Sequence, residues 1–248
     1  MSEALLRTIP PGEIPPTRRD VFDCETLRRA AEIADDVRAR GEPALREYAT
    51  RFDALDPSEP ILWTGAALAA ACDGLSSAER ELLTRTAARI RRFAEVQRAC
   101  VHDMRLEIPG GAAGHSIVPV KTAGCYAPGG RYPLVSSMLM TVVTARAAGV
   151  ECVWAASPQP SQIMLAAAAI AGADAVLAVG GAHAIAALAY GVGPVPSCDV
   201  IVGPGNAWVT AAKHLVSSRT RIDVLAGPSE LLILADRHAD PALIASDL

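Results

Sequence analysis

The chain has 248 residues, of which 51% are hydrophobic and only 4% aromatic, and its formal net charge is −4. That balance excludes a general nucleic-acid or membrane surface, since no basic stripe stands out, and it provides apolar area for a sizeable core of Ala, Val, Leu and Ile. Six widely separated cysteines without a C-x-x-C spacing read as buried free thiols in a reducing compartment.

Residues 1–20 contain Pro10, Pro11, Pro15 and Pro16 and no apolar signal-peptide core, so they read as an extended arm on a cytoplasmic protein. Leu27, Ala30, Ala31, Ala34 and Val37 recur at helical spacing, which predicts a helix over 26–40 that stops at Gly41. A second helix is predicted over 42–52, with Pro43 in its first turn. A short strand follows at 61–63. Ser76 and Glu79 form a capping-box pattern that opens a long helix to about residue 98. Its Arg-rich face reads as a solvated surface. Strands are expected near 105–108 and 116–120.

From Val120 onward charge falls and Ala, Gly and Val rise. Four strand–loop–helix units are predicted: 122–126 with helix 134–148, 152–155 with helix 161–171, 176–179 with helix 183–190, and 200–202 with helix 207–216. Their continuous apolar strands predict a parallel sheet with helices on both faces. Two strands break into glycine corners, Gly180-Gly181 and Gly203-Pro204-Gly205, each followed by an alanine-rich helix. Backbone N–H groups at such corners suit a phosphate or carboxylate, and two corners on one sheet edge suit a dinucleotide. A strand is expected at 231–235, then a helix opened by Asp240 and Pro241. That helix reaches the last residue without a cap, which reads as a chain cut within an element.

No local catalytic motif is complete. There is no G-x-G-x-x-G, Walker loop, G-x-S-x-G or H-E-x-x-H, and the five histidines form no i, i+4 pair. His183 opens a helix right after Gly180-Gly181 and faces the presumed ligand edge, or else simply packs. His214 near a helix C-terminus is a favourable dipole placement. Tyr126 ends a strand where its ring either stacks on a flat ligand or fills the core. Asn206 at a helix start either caps that helix or offers its amide to a ligand. Ser229 follows a Gly-Pro turn.

Several phrases together resemble the histidinol dehydrogenase family. They are Gly41-Glu42-Pro43-Ala44-Leu45 with Arg51-Phe52-Asp53; Tyr126-Ala127-Pro128-Gly129-Gly130; Gly180-Gly181-Ala182-His183-Ala184-Ile185-Ala186-Ala187-Leu188; Gly203-Pro204-Gly205-Asn206-Ala207; Ala226-Gly227-Pro228-Ser229-Glu230; and Ser246-Asp247-Leu248. The resemblance covers nearly the whole chain in order. It implies an α/β fold of two Rossmann-like parallel-sheet domains, one inserted in the other, with the extended N-terminal arm. Residues 21–120 plus 231–248 would form an incomplete α/β domain, and 121–230 a Rossmann-like NAD-binding domain. It further implies an NAD- and Zn2+-dependent homodimer that oxidises L-histidinol through the aldehyde to L-histidine.

By the same resemblance Tyr126 and Asn206 fall on NAD contacts and Ser229 on a substrate contact. His183 falls where the family usually has a glutamine that contacts NAD. The family's zinc ligands and catalytic base lie beyond Leu248, so residues 1–248 alone are expected not to turn over. Arg131-Tyr132 in the loop after Gly130 also resembles paralogues that oxidise other small polar alcohols, including sulfonated diols, where Arg131 would pair with an anionic group. A different class of alternative is a catalytically dead nucleotide-binding or dimer-interaction protein.

Overall fold

The computed structural model describes residues 10–13, 22–129, 133–225 and 231–247. Pro11–Glu13 form a single 3-10 turn. Two helices follow: α1 (Cys24–Arg40), capped by the Asp23 side chain, which accepts from Thr26 N–H, and α2 (Glu42–Asp53). Gly41 joins them at φ 68° and donates its N–H to the Val37 carbonyl, so the break is made by a residue without a Cβ penalty.

Strand β1 (Leu62–Thr64), helix α3 (Gly65–Asp73) and helix α4 (Ser77–Ala99) come next. The predicted capping box of α4 is present, with Ser76 and Glu79 bonded reciprocally. Strands β2 (Met104–Ile108) and β3 (Gly111–His115) form a separate, exposed antiparallel ribbon. The strand expected at 116–120 thus lies earlier, because Pro109-Gly110 turns the chain directly back and pairs Ile108 with Gly111.

The remaining elements are β4 (Thr122–Tyr126), α5 (Val135–Ala147), β5 (Cys152–Ala156), α6 (Gln162–Ala171), β6 (Ala175–Leu177), α7 (Gly181–Tyr190), β7 (Val200–Val202), α8 (Ala207–Val216), β8 (Arg221–Ile222) and α9 (Pro241–Asp247). All four predicted strand–loop–helix units are found. The main sheet runs β1-β6-β5-β4-β7-β8; β1 is antiparallel to β6, and every other pairing is parallel.

Each face of the sheet has its own core. One packs α1, α2, α7 and α8 around Val37, Leu45, Leu177, Ile185, Leu188 and Ile201. The other packs α3, α4, α5 and α6 around Leu68, Met138, Val142, Val153 and Leu165. Alanine dominates α6 and α7, which lets both helices lie close to the strands and suits a chain so poor in aromatics.

The strand expected at 231–235 is not formed. These residues carry no regular secondary structure, and Leu232 and Leu234 are 81% and 90% exposed. A β-prone run becomes a strand only where a sheet edge accepts its backbone, and β8 makes no pairing with it. Among the described residues no helix is long and apolar enough to cross a membrane. All six cysteines are free, with Cys125 and Cys198 buried.

Candidate functional site

In the order β6-β5-β4-β7-β8, successive strands step one way from β4 and then the other way from β7. The reversal between β4 and β7 leaves a crevice beyond their carboxyl ends, the place where open α/β sheets bind ligands. The predicted corner Gly203-Pro204-Gly205 after β7 meets there the loop Ala127-Pro128-Gly129 after β4, while the predicted Gly180-Gly181 corner follows β6, two strands from β4.

The corners are fitted tightly. Gly203 has φ +120°, and a Cβ on it would lie 2.0 Å from the Tyr126 carbonyl oxygen. On the other side Pro158 fills the space between the β4 and β6 loops. A Cβ on Gly129 would lie 2.4 Å from its carbonyl oxygen, and one on Gly180 would lie 2.8 Å from its ring. Glycine is required at these points so that three loops can pack against one another.

The N–H groups read as open for a ligand are partly engaged by the chain itself. Gly180 N–H donates to Asp53 Oδ2 at 2.8 Å, and Gly181 N–H to the Tyr126 phenol oxygen at 3.1 Å. Gly203 N–H donates to Asp223 Oδ2 at 2.8 Å. Asn206 Oδ1 accepts from Trp208 and Val209 N–H at 3.1 and 3.2 Å, capping α8. The glycine corners are therefore internally braced rather than bare.

Each predicted residue can now be placed. Tyr126 lies at the β4 end and is 4% exposed; its ring belongs to the core, so only its edge and phenol reach the corner. Burial pushes that phenol up to about 12, partly offset by the Gly181 N–H. His183 is 1% exposed and turned inward, with Nε2 2.9 Å from Asp53 Oδ2. Of the two alternatives for this histidine, packing is the one found: it bridges α7 to α2 through the buried Asp53 carboxylate. Asn206 is exposed on the crevice side. The structure thus brings Tyr126 and His183 together through the Gly180–Gly181 peptide, and holds Tyr126 beside the loop that carries Asn206. Ser229 and Arg131 lie outside the described residues.

Sequence reasoning gave no role to two groups that shape the site. One is Asp53, seen only within a phrase. The other is the pair Lys213–Asp223. Lys213 is 3% exposed, donates from Nζ to the Gly203 carbonyl at 3.0 Å and pairs with the Asp223 carboxylate, so one ion pair grips both polar groups of Gly203. A lysine beside His214 in the last turn of a helix looked like simple dipole placement. Only its register on the inner face of α8 could have signalled burial.

Beside the crevice, on the α5 side of the sheet, lies an apolar groove of about 680 Å³ lined by Val120, Ala123, Met140, Thr144, Val200 and Val202. Among the described residues no group of three or more His, Cys, Asp or Glu is placed to hold a metal ion.

A mostly parallel sheet with helices on both faces and two loops meeting at its switch point defines a doubly wound α/β protein. The histidinol dehydrogenase family model matches residues 17–248, and the chain belongs to that family, matching its amino-terminal portion. It is 43% identical over 221 residues to histidinol dehydrogenase homolog 1 of Mesorhizobium japonicum, covering 87% of this chain and 44% of that protein. It is 45% identical over 220 residues to histidinol dehydrogenase of Haloarcula marismortui, covering 88% and 51%. It is also 38% identical over 238 residues to sulfopropanediol 3-dehydrogenase of Ruegeria pomeroyi, covering 94% and 54%. The crystal structure of histidinol dehydrogenase from Elizabethkingia anophelis superposes with a TM-score of 0.81 at 28% identity, covering 94% of this chain and 54% of that one. The chain spans about half the length of the curated relatives it matches.

Proposed function

We propose that this chain supplies the NAD-binding portion of a histidinol dehydrogenase, an enzyme that oxidises L-histidinol through the aldehyde to L-histidine. The observation that carries this reading is the family match over residues 17–248. In this proposal residues 121–230 form the nucleotide-binding unit, and 21–120 with 231–248 belong to a second α/β unit. The working protein is a homodimer in a reducing, cytoplasmic compartment, which the six free thiols favour.

In this reading the nucleotide lies in the crevice at the β4–β7 switch point, where Asn206 stands exposed. When bound, NAD supplies the hydride acceptor. The chain's own residues do the positioning. Asn206 presents its amide nitrogen while Oδ1 holds the start of α8. Tyr126 and His183 stand one layer behind and set the shape of the edge. Ser229 is carried as a substrate contact. Zinc does not fit the described residues, which bring no three ligands together.

A second reading, oxidation of a sulfonated diol, is favoured by the match to sulfopropanediol 3-dehydrogenase over most of the chain. Equilibrium dialysis of the purified chain with NAD tests the shared premise: saturable binding supports both readings, and no binding at millimolar NAD contradicts both. Comparing L-histidinol with sulfopropanediol as the second ligand then separates them.

A further inference from the structure

Asp53 is the last residue of α2, and its carboxylate enters the β6–α7 corner from a different part of the chain. Oδ2 accepts from Gly180 N–H at 2.8 Å and lies 2.9 Å from His183 Nε2. One residue on, Gly181 N–H donates to the Tyr126 phenol oxygen at 3.1 Å. Successive peptide N–H groups at the start of α7 are thus held by side chains from α2 and β4. The histidine ring lies near Tyr48 and Phe52, with centroids at 6.0 and 6.2 Å, so it is wedged as well as bonded.

The backbone beside this contact is strained. Among the described residues the non-glycine positions with positive φ are Ala54, at 51°, and Gln159, at 43°; Gln159 Nε2 donates to the Ala54 carbonyl at 3.4 Å. Ala54 directly follows Asp53, and Gln159 directly follows the Pro158 that packs on Gly129 and Gly180. Such strain persists only where the surroundings over-determine it, and it gathers at working sites.

We infer that Asp53 is a positioning residue for the nucleotide edge: it turns the His183 imidazole inward and fixes the Gly180–Gly181 peptide against Tyr126, so that the ring stays out of the site and Tyr126, which joins the β4 corner, is held in place. The ligand's identity rests on the reading given under Proposed function; the hydrogen-bond arrangement does not. Because the carboxylate oxygen accepts, His183 Nε2 carries the proton.

The test uses the whole chain labelled with 15N at histidine and glycine. In the unmodified protein, His183 shows a protonated, hydrogen-bonded Nε2, and Gly180 N–H exchanges slowly. In Asp53→Ala, Gly180 exchange rises about tenfold or more while β4 and β5 amides stay protected. Asp53→Asn, which keeps an acceptor oxygen, restores slow exchange at Gly180. NAD affinity falls about tenfold in Asp53→Ala and recovers in Asp53→Asn. An unprotonated Nε2 in the unmodified protein overturns the inference, whether or not any variant folds. So does Gly180 exchange unchanged in Asp53→Ala, or left fast in Asp53→Asn. If the unmodified chain does not bind NAD, the nucleotide reading fails, while the Gly180 and His183 signals still decide the role of Asp53.

Discussion

Gly203 stands so close to Tyr126 that the β4 and β7 corners are in effect one structure: a Cβ on Gly203 would lie 2.0 Å from the Tyr126 carbonyl oxygen and 3.1 Å from its amide nitrogen. The contact is backbone on backbone, so no side-chain rotation relieves it. Gly203→Ala is expected to destabilise the fold by about 2–4 kcal/mol, combining a left-handed φ with overpacking. Gly41→Ala is the control. Gly41 also has a positive φ, 68°, but open space where the Cβ would go, so it should cost less, the backbone strain alone without the clash. Urea midpoints for the two variants check this difference.

The Lys213–Asp223 pair predicts an asymmetry. The Lys213 side chain is 4% exposed and the Asp223 side chain 31%. Asp223→Ala leaves an ammonium buried with only the Gly203 carbonyl, and is expected to cost about 3 kcal/mol or more. Lys213→Met leaves a carboxylate that still accepts from Gly203 N–H and Val224 N–H and reaches solvent. It is expected to cost about 1–2 kcal/mol. Equal losses in denaturant unfolding would count against this account of the β7 corner.

Stability should fall on the alkaline side. Burial pushes the Cys125 thiol and the Tyr126 phenol up to about 12 from ordinary values of 9.0 and 10.0, and it pushes the Cys198 thiol up as well. Above pH 9 the unfolded chain loses these protons while the folded chain keeps them. The stability that burial of the neutral groups contributes is therefore full below pH 9 and lost as pH rises toward 12. Each such group removes about 1.4 kcal/mol per pH unit within its window. Unfolding free energies between pH 8 and 11 check the slope. At neutral pH a thiol reagent should modify exposed Cys24 and Cys100 well before Cys125 and Cys198.

Asn206 caps α8, and the proposed NAD contact is separable from that role. Asn206→Ala loses the cap on α8 and is expected to cost about 1 kcal/mol. Asn206→Asp keeps an oxygen for Trp208 and Val209 N–H but lacks the amide nitrogen, so stability holds while NAD affinity drops about tenfold. Thermal unfolding and NAD titration of both variants separate capping from ligand contact.

Much of the second half was legible because its strands are short β-branched runs buried on both faces, each ended by Gly or Pro. Helix 207–216 has the bounds read from the sequence. Helix α3 was missed: its Gly-Ala-Ala-Leu-Ala-Ala-Ala run shows almost no amphipathic rhythm, and its signal is the helix propensity of Ala and Leu alone. The two-residue β8 carries no local signal and exists through its pairing with β7. Asp53 and His183 lie 130 positions apart, so their meeting is a product of topology. Of the two alternatives the sequence leaves open for His183, the structure shows packing, against a carboxylate that comes from another helix.

The central claim is that a dinucleotide lies across the β4–β7 switch point. Residue-resolved amide exchange of the chain with and without NAD tests it most directly. Added protection concentrated at 127–129 and 203–207, with the β2–β3 ribbon unchanged, is the predicted result. Binding that leaves both loops untouched, or that protects only residues 104–115, would contradict it.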